Sequence, residues 1–183
     1  MSPAISLDQL TTQLSPTQER QLQQGDVILV GSDGAYTVSA IVKAELATVW
    51  DVLTSYEQFP EFLPSVVGSR ILERRENRVL VERKDRRKIG WLPIKVKIVT
   101  ENTERPRDRI DYRMVDGTLD EMQGSWQLSP MEGNNAGHTL LVQEITAKAS
   151  MGPLQPYFYE VFESGLTETM ADLRTAMEQR QGN

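Results

Sequence analysis

Residues 49–66 read VWDVLTSYEQFPEFLPSV. The apolar spacing predicts a short helix over residues 46–53, a break, and a second short aromatic segment before Pro64 leads into a strand. Proline disfavours helical geometry at the residue before it, so the second piece has to begin anew at Phe59, ahead of Pro60. Trp50, Tyr56, Phe59 and Phe62 crowd into this stretch of a chain that is only 7% aromatic. So much aromatic mass in a broken helical connection implies a cover over something. Trp50 and Leu53 are expected beneath it as core. Phe59, Phe62 and Leu63 are expected to form a mobile gate opposite the start of the last helix, with Pro60 and Pro64 fixing where it bends.

Upstream, Ser6 opens an S-x-x-Q capping signal with Leu7, Leu10 and Leu14 on one face. Ser15-Pro16-Thr17-Gln18 repeats the logic, and Gly25 ends that helix. This polar segment reads as a peripheral appendage without chemistry. Val27 to Val30 then form a strand signal before the turn cluster Gly31-Ser32-Asp33-Gly34. Tyr36, Val38, Ala40 and Val42 alternate with polar residues as a half-buried strand. The boundaries that follow are an N-terminal extension over residues 1–34 and a ligand-binding domain over residues 35–183.

Downstream of Pro64 come strands. Residues 66–72 and 79–83 flank a hairpin turn at residues 74–78. Ile94, Val96 and Ile98 alternate with lysines, Tyr112 and Met114 with charged residues, and Met122, Gly124 and Trp126 with Gln123 and Ser125. Residues 140–149 give the last strand. Short connections between consecutive strands favour an antiparallel meander, since parallel crossovers need a dozen or more residues. After Gly152-Pro153 and Pro156, Phe158, Phe162, Leu166, Met170, Leu173 and Met177 follow helical spacing to the end. A helix of about 25 residues spans about 37 Å, enough to cross a whole curved sheet. The expectation is an α+β fold: a six- to seven-stranded antiparallel sheet wrapped around one long C-terminal helix, with two short helices as a lid.

Composition excludes several chemistries. With 183 residues one domain is the default. Without cysteine there is no disulfide, thiolate metal site or cysteine nucleophile. The single His138 follows Asn134-Asn135-Ala136-Gly137 and reads as a turn residue, so no histidine-based zinc site can be assembled. No metal and no cofactor are expected. No secretory signal and no membrane-spanning run is legible, which leaves the cytoplasm as the default location. The net charge of −6 hides an asymmetry: residues 70–97 hold eleven Lys/Arg and four acids, a local +7, against −13 elsewhere. That stretch reads either as a solvated sheet face or as a surface for peripheral contact with an anionic membrane. It lacks the interleaved aromatics of a single-strand binder, so no nucleic acid is expected.

The run VWDVLTSYEQFPEFLPSVVGSRILE, the meander, GSWQL over residues 124–128 and the helix after MGPLQPYF together resemble the START-like (SRPBCC) superfamily. This is the polyketide cyclase/dehydrase and lipid-transport group, and the likeness is nearest its coenzyme-Q-binding-protein-like branch. The likeness covers roughly residues 35–180. It implies a helix-grip fold with a deep hydrophobic cavity between the helix and the sheet. It further implies a lipid, isoprenoid quinone or polyketide-like ligand.

Alternation and helical spacing choose the candidate ligand-binding residues. From the lid these are Phe59, Phe62 and Leu63. From the strands they are Ile94, Val96, Ile98, Tyr112, Met114, Met122, Gly124 and Trp126, with Gly124 leaving room on the inner face. From the helix they are Phe158, Phe162, Leu166 and Met170. The competing reading is that these residues simply fill a core. Tyr112, Arg83, Gln143 and Thr169 are the polar residues placed toward the same space, and the strand acids mostly alternate outward. No Ser-His-Asp set, no carboxylate pair sharing an orientation and no phosphate-cradling glycine loop is present, so no catalytic residue is assigned. A carrier or sequestering role leads. An aromatase/cyclase or dehydratase and a plain interaction module stay open.

Overall fold

The computed structural model describes residues 9–10, 12–89 and 92–182. Expectations resting on Ser6 and Leu7 lie outside these residues.

Helix α1 (Pro16–Gln24) starts as its sequence dictates. Ser15 Oγ accepts from the Gln18 amide at 3.3 Å, and Gln18 Oε1 accepts from the Ser15 amide at 2.9 Å. This closes two otherwise open helix-end donors. Gly25 ends the helix at φ 97°, a left-handed conformation that suits glycine. Far from being peripheral, this segment seals the outer face of the sheet. Leu10, Leu14 and Leu22 are buried against Ile28, Ile41, Leu140 and Val142.

The strands are β1 (Ile28–Ser32), β2 (Ala35–Val42), β3 (Val66–Arg75), β4 (Arg78–Ile89), β5 (Leu92–Arg105), β6 (Arg109–Gly117), β7 (Glu121–Pro130) and β8 (Thr139–Lys148). They form one antiparallel sheet in the order β1-β2-β8-β7-β6-β5-β4-β3. Eight strands replace the expected six or seven, because β1 pairs with β2 through the Asp33-Gly34 turn. The β3–β4 turn is also tighter than the sequence suggested. It is the pair Glu76-Asn77, with Glu76 at φ 49°, so both strands run further than their apolar cores. Register shifts after Val66, Ile71 and Val99 interrupt the regular pairing, and irregularities of this kind bend a strand and increase its twist.

Between β2 and β3 lie α2 (Leu46–Thr54), a 3-10 turn (Tyr56–Gln58) and α3 (Phe59–Phe62). A new helical piece does begin at Phe59, yet Phe59 itself is helical at φ −50°, ψ −39° despite the proline after it. Its ring packs edge-on to Tyr56 at 5.7 Å and Phe62 at 5.8 Å and against the buried clusters on both sides.

Helix α4 (Gln155–Gln181) lies across the concave face. Phe158, Leu166, Met170, Leu173 and Met177 form its buried stripe, and the last four pack with Tyr36, Val38, Ala40 and Val42 of β2 in one core. Its end is tied to α2 and the lid. Gln181 Oε1 accepts from Thr48 Oγ1 at 2.7 Å and from the Glu45 amide at 3.1 Å, and Arg180 donates to Gln58 at 3.1 Å. The lid therefore covers the end of the long helix rather than its start.

Candidate functional site

The helix and the curved sheet do not close completely on each other. A cavity of about 170 Å³ lies between them, comparable to an engineered cavity of about 150 Å³ that admits a benzene ring. Leu53, Tyr56, Phe59 and Leu63 bound it on the lid side, and Val81, Ile94, Val96, Ile98, Ile110, Met122, Trp126 and Ile145 on the sheet side. Phe158, Val161, Phe162, Gly165, Leu166 and Leu173 supply the helix wall.

Of the residues expected here, Phe59, Leu63, Ile94, Val96, Ile98, Tyr112, Met122, Trp126, Phe158, Phe162 and Leu166 do line the cavity. Four do not. Phe62 stands behind Phe59 in an edge-to-face contact at 5.8 Å. Met114 is half-buried at the periphery of the core, and Met170 is fully buried within it. Gly124 leaves no free room: a Cβ there would lie 2.1 Å from the Glu144 carbonyl oxygen and 2.6 Å from the Tyr112 oxygen. Each of these residues has the periodicity of a wall residue, but periodicity names a face, not a depth.

The lid end is closed. Leu53, Tyr56 and Leu63 are buried, and Tyr56 donates to Glu104 at 3.0 Å, with Arg74 3.2 Å from the same carboxylate. Burial, with Glu104 beside it, pushes the Tyr56 phenol well above its ordinary range. The opposite end is looser. Ile94, Val96, Leu119, Val161 and Phe162 are only half-buried where the β4–β5 hairpin meets the start of α4. Phe158 and Phe162 stack at 5.6 Å, and Tyr36 meets Phe162 at 5.9 Å. Tyr36 also donates to Glu163 at 2.7 Å. Burial and that bond raise its pKa to about 12.

A polar group interrupts the apolar wall. Arg83, Asp85 and Arg87 alternate with outward residues on β4, so all three face the helix. Arg83 Nη2 donates to Asp85 Oδ2 at 3.0 Å, and the second Arg83–Asp85 contact is also 3.0 Å. Arg87 lies 4.0 Å from Asp85, 3.6 Å from Glu168 and 3.5 Å from the Thr169 hydroxyl. Its guanidinium rests on bare helix backbone: a Cβ at Gly165 would sit 3.1 Å from Arg87 Cζ. Burial raises the Asp172 carboxyl, nearby Glu168 adds to this, and Arg87 opposes it. Across the cavity Gln143 Nε2 donates to the Tyr112 oxygen at 2.9 Å. Burial pushes the Tyr112 phenol upward, against the Gln143 bond and the charge of Arg83.

Sequence reasoning placed Arg83, Tyr112, Gln143 and Thr169 toward this space, and all four are in its wall. It missed Asp85 and Arg87. The signal was available, because both continue the two-residue period of Val79, Val81 and Arg83, but a charged run invites the reading of a solvated face. His138 sits in the β7–β8 connection, away from the cavity. Among the described residues no cluster of His, Cys, Asp and Glu is arranged to hold a metal ion.

No curated protein sequence matches this chain significantly. Solved structures do share its fold. The protein TTHA0849 of Thermus thermophilus superposes with a TM-score of 0.67 at 17% identity, covering 77% of this chain and 94% of that one. The STAR-related lipid transfer protein of Xanthomonas axonopodis gives 0.65 at 16%, covering 82% and 92%. The Zhui aromatase/cyclase of Streptomyces sp. R1128 gives 0.64 at 16%, covering 84% and 95%. The family described as polyketide cyclase / dehydrase and lipid transport matches residues 42–174, from the end of β2 into the last third of α4. Fold, cavity and family match thus agree, and this chain belongs to the polyketide cyclase / dehydrase and lipid transport family.

Proposed function

We propose that this protein binds a hydrophobic small molecule in the cavity under α4 and acts as its carrier or sequestering protein. A lipid, an isoprenoid quinone or a polyketide-like molecule fits the reading. The observation that carries it is the cavity itself, walled by aliphatic and aromatic side chains with polar groups at few points, as ligand pockets are. At about 170 Å³ the space holds about one ring, so a larger ligand enters by widening the loose end. Burial of apolar ligand surface supplies about 25 cal/mol per Å², before entropy costs. Organic extracts of the purified protein analysed by mass spectrometry should contain a hydrophobic compound in stoichiometric amount. Empty extracts together with no binding of fluorescent lipid probes would overturn the proposal.

Catalysis is the second reading, favoured by one observation. Asp85 is 5% exposed, faces the cavity and lies beside Arg83, a carboxylate placed where a cyclase or dehydratase needs acid/base chemistry. Turnover of a polyketide-like substrate that is lost in Asp85→Asn or Tyr112→Phe, with binding retained, would establish it.

Loading is proposed to occur at an anionic membrane. Lys84, Arg86, Lys88, Lys95 and Lys97 are exposed on the outer face of the β4–β5 hairpin, and Leu92 is exposed near its tip. The inner face of the same hairpin carries Ile94 and Val96 at the loose end of the cavity. Each cation near such a surface contributes about 1 kcal/mol. Sedimentation with anionic vesicles that disappears in Lys88→Glu/Lys95→Glu supports the docking. Equal sedimentation with neutral and anionic vesicles refutes it. No helix is long and apolar enough to cross a membrane among the described residues.

A further inference from the structure

The Tyr112–Gln143 pair is not finished by the protein. Gln143 is 6% exposed and lines the cavity, and its Oε1 is buried without a hydrogen-bond partner. Its Nε2 is spent on the Tyr112 oxygen at 2.9 Å. Tyr112 is 8% exposed, and its hydroxyl proton meets no acceptor among the described residues. One unanswered acceptor and one unanswered donor thus lie side by side in an apolar wall. Buried polar groups are as a rule paired, and an orphaned one costs its full desolvation.

The fold goes out of its way to make this pair. Tyr112 on β6 reaches Gln143 on β8 by crossing β7 at Gly124, its own register partner. A side chain at Gly124 would collide first with the Glu144 carbonyl oxygen of β8, 2.1 Å from the added carbon, and then with the Tyr112 hydroxyl and ring at 2.6 and 2.8 Å, so β8 and the crossing tyrosine both require glycine there.

A single ligand oxygen completes the pair if it accepts from Tyr112 and donates to Gln143. A hydroxyl does both. A carboxylate or ketone cannot donate, and its lone pairs would face those of Gln143. Charge points the same way. The two guanidiniums in the wall already have three carboxylates: Asp85 at 3.0 Å from Arg83, and Glu168 and Asp172 beside Arg87. Although Arg83 Nε is left without a hydrogen-bond partner, an ionised head group would enter a dry site whose two described cations are already opposed by carboxylates.

We propose that Tyr112 and Gln143 recognise a hydroxyl group, and that the ligand class is a neutral hydrophobic alcohol or phenol. This rests on the ligand-binding reading above, and the test separates the two. Benzene, phenol and benzoate share one ring that suits the cavity and differ only in the head group. Their affinities for the full chain are read by NMR titration at neutral pH. Phenol should bind about tenfold more tightly than benzene and more tightly still than benzoate. In Gln143→Leu the preference should vanish while benzene binding is kept or improved, and Tyr112→Phe, which removes only the hydroxyl, should lower phenol affinity with benzene unchanged. Equal binding of benzene and phenol, tighter binding of benzoate, or a phenol preference that survives both variants would overturn this inference alone. Failure of all three to bind would overturn it together with the cavity-binding reading.

Discussion

Gly165 sits in the middle of the long helix, where glycine costs about 1 kcal/mol relative to alanine. Gly165→Ala therefore offers a gain of that size, opposed by the contact it creates. The new methyl would lie 3.1 Å from Arg87 Cζ and Nη1 and 3.4 Å from Nη2, a few tenths of an ångström too close. What must yield is the far end of a flexible side chain whose own contacts are long: 3.5 Å to Thr169, 3.6 Å to Glu168 and 4.0 Å to Asp85. Glu168 is largely exposed, so its pair with Arg87 is worth at most about 1 kcal/mol, and the 4.0 Å contact to Asp85 is too long for a hydrogen bond. The expected balance is a stabilisation of about 0.5 kcal/mol. In an Arg87→Ala background the full gain of about 1 kcal/mol should appear, and the difference between the two backgrounds measures what displacing Arg87 costs. For a chain of this size 1 kcal/mol moves Tm by about 2–4 °C, so thermal melts of the four proteins resolve the cycle. If Gly165→Ala destabilises the protein equally in both backgrounds, the glycine is there for some reason other than Arg87.

Met170 is fully buried but off the cavity wall, so Met170→Ala should cost about 2–5 kcal/mol in urea unfolding and leave the affinity for a fluorescent hydrophobe nearly unchanged. Phe59→Ala should speed release of the same probe in stopped-flow displacement, and Phe62→Ala should do so far less, because only Phe59 touches the cavity. Leu22→Ala should cost about 2–5 kcal/mol without altering ligand affinity, since Leu22 packs on the outer face of the sheet. Tyr36, Tyr56 and Tyr112 all have raised phenol pKa values, to about 12 for Tyr36. The folded state keeps protons that the unfolded chain releases above its ordinary value of about 10. Their stabilisation is therefore complete below about pH 10 and falls away as pH rises from there. Melts across this range should show Tm dropping on the alkaline side, with a shallower drop in Tyr36→Phe. An unchanged slope would count against the part-buried Tyr36–Glu163 bond.

Much of this architecture was legible in the residues. Alternation at Ile94, Val96 and Ile98 and the stripe from Phe158 to Met177 each report a face, because strand and helix geometry turn side chains by fixed angles. Ser15-Pro16 and Gly25 mark helix ends through local backbone chemistry. Misreadings came where a local signal met a distant partner. Arg87 and Asp85 carry the period of an inner face but the composition of an outer one. Gly124 reads as empty space until Tyr112, on the next strand, is laid across it.

The sequence by itself determined the order of elements, the antiparallel meander, the long final helix and which side of each strand is apolar, since these depend on neighbours within a few residues. Tertiary structure alone decided how deep each of those residues sits. It separated Leu166 on the wall from Met170 in the core, placed the lid at the end of α4, and brought Tyr112 to Gln143 across an intervening strand. These outcomes depend on how far the sheet bends and where the helix comes to rest on it. Both are set by contacts between residues far apart in the chain, which no local pattern records.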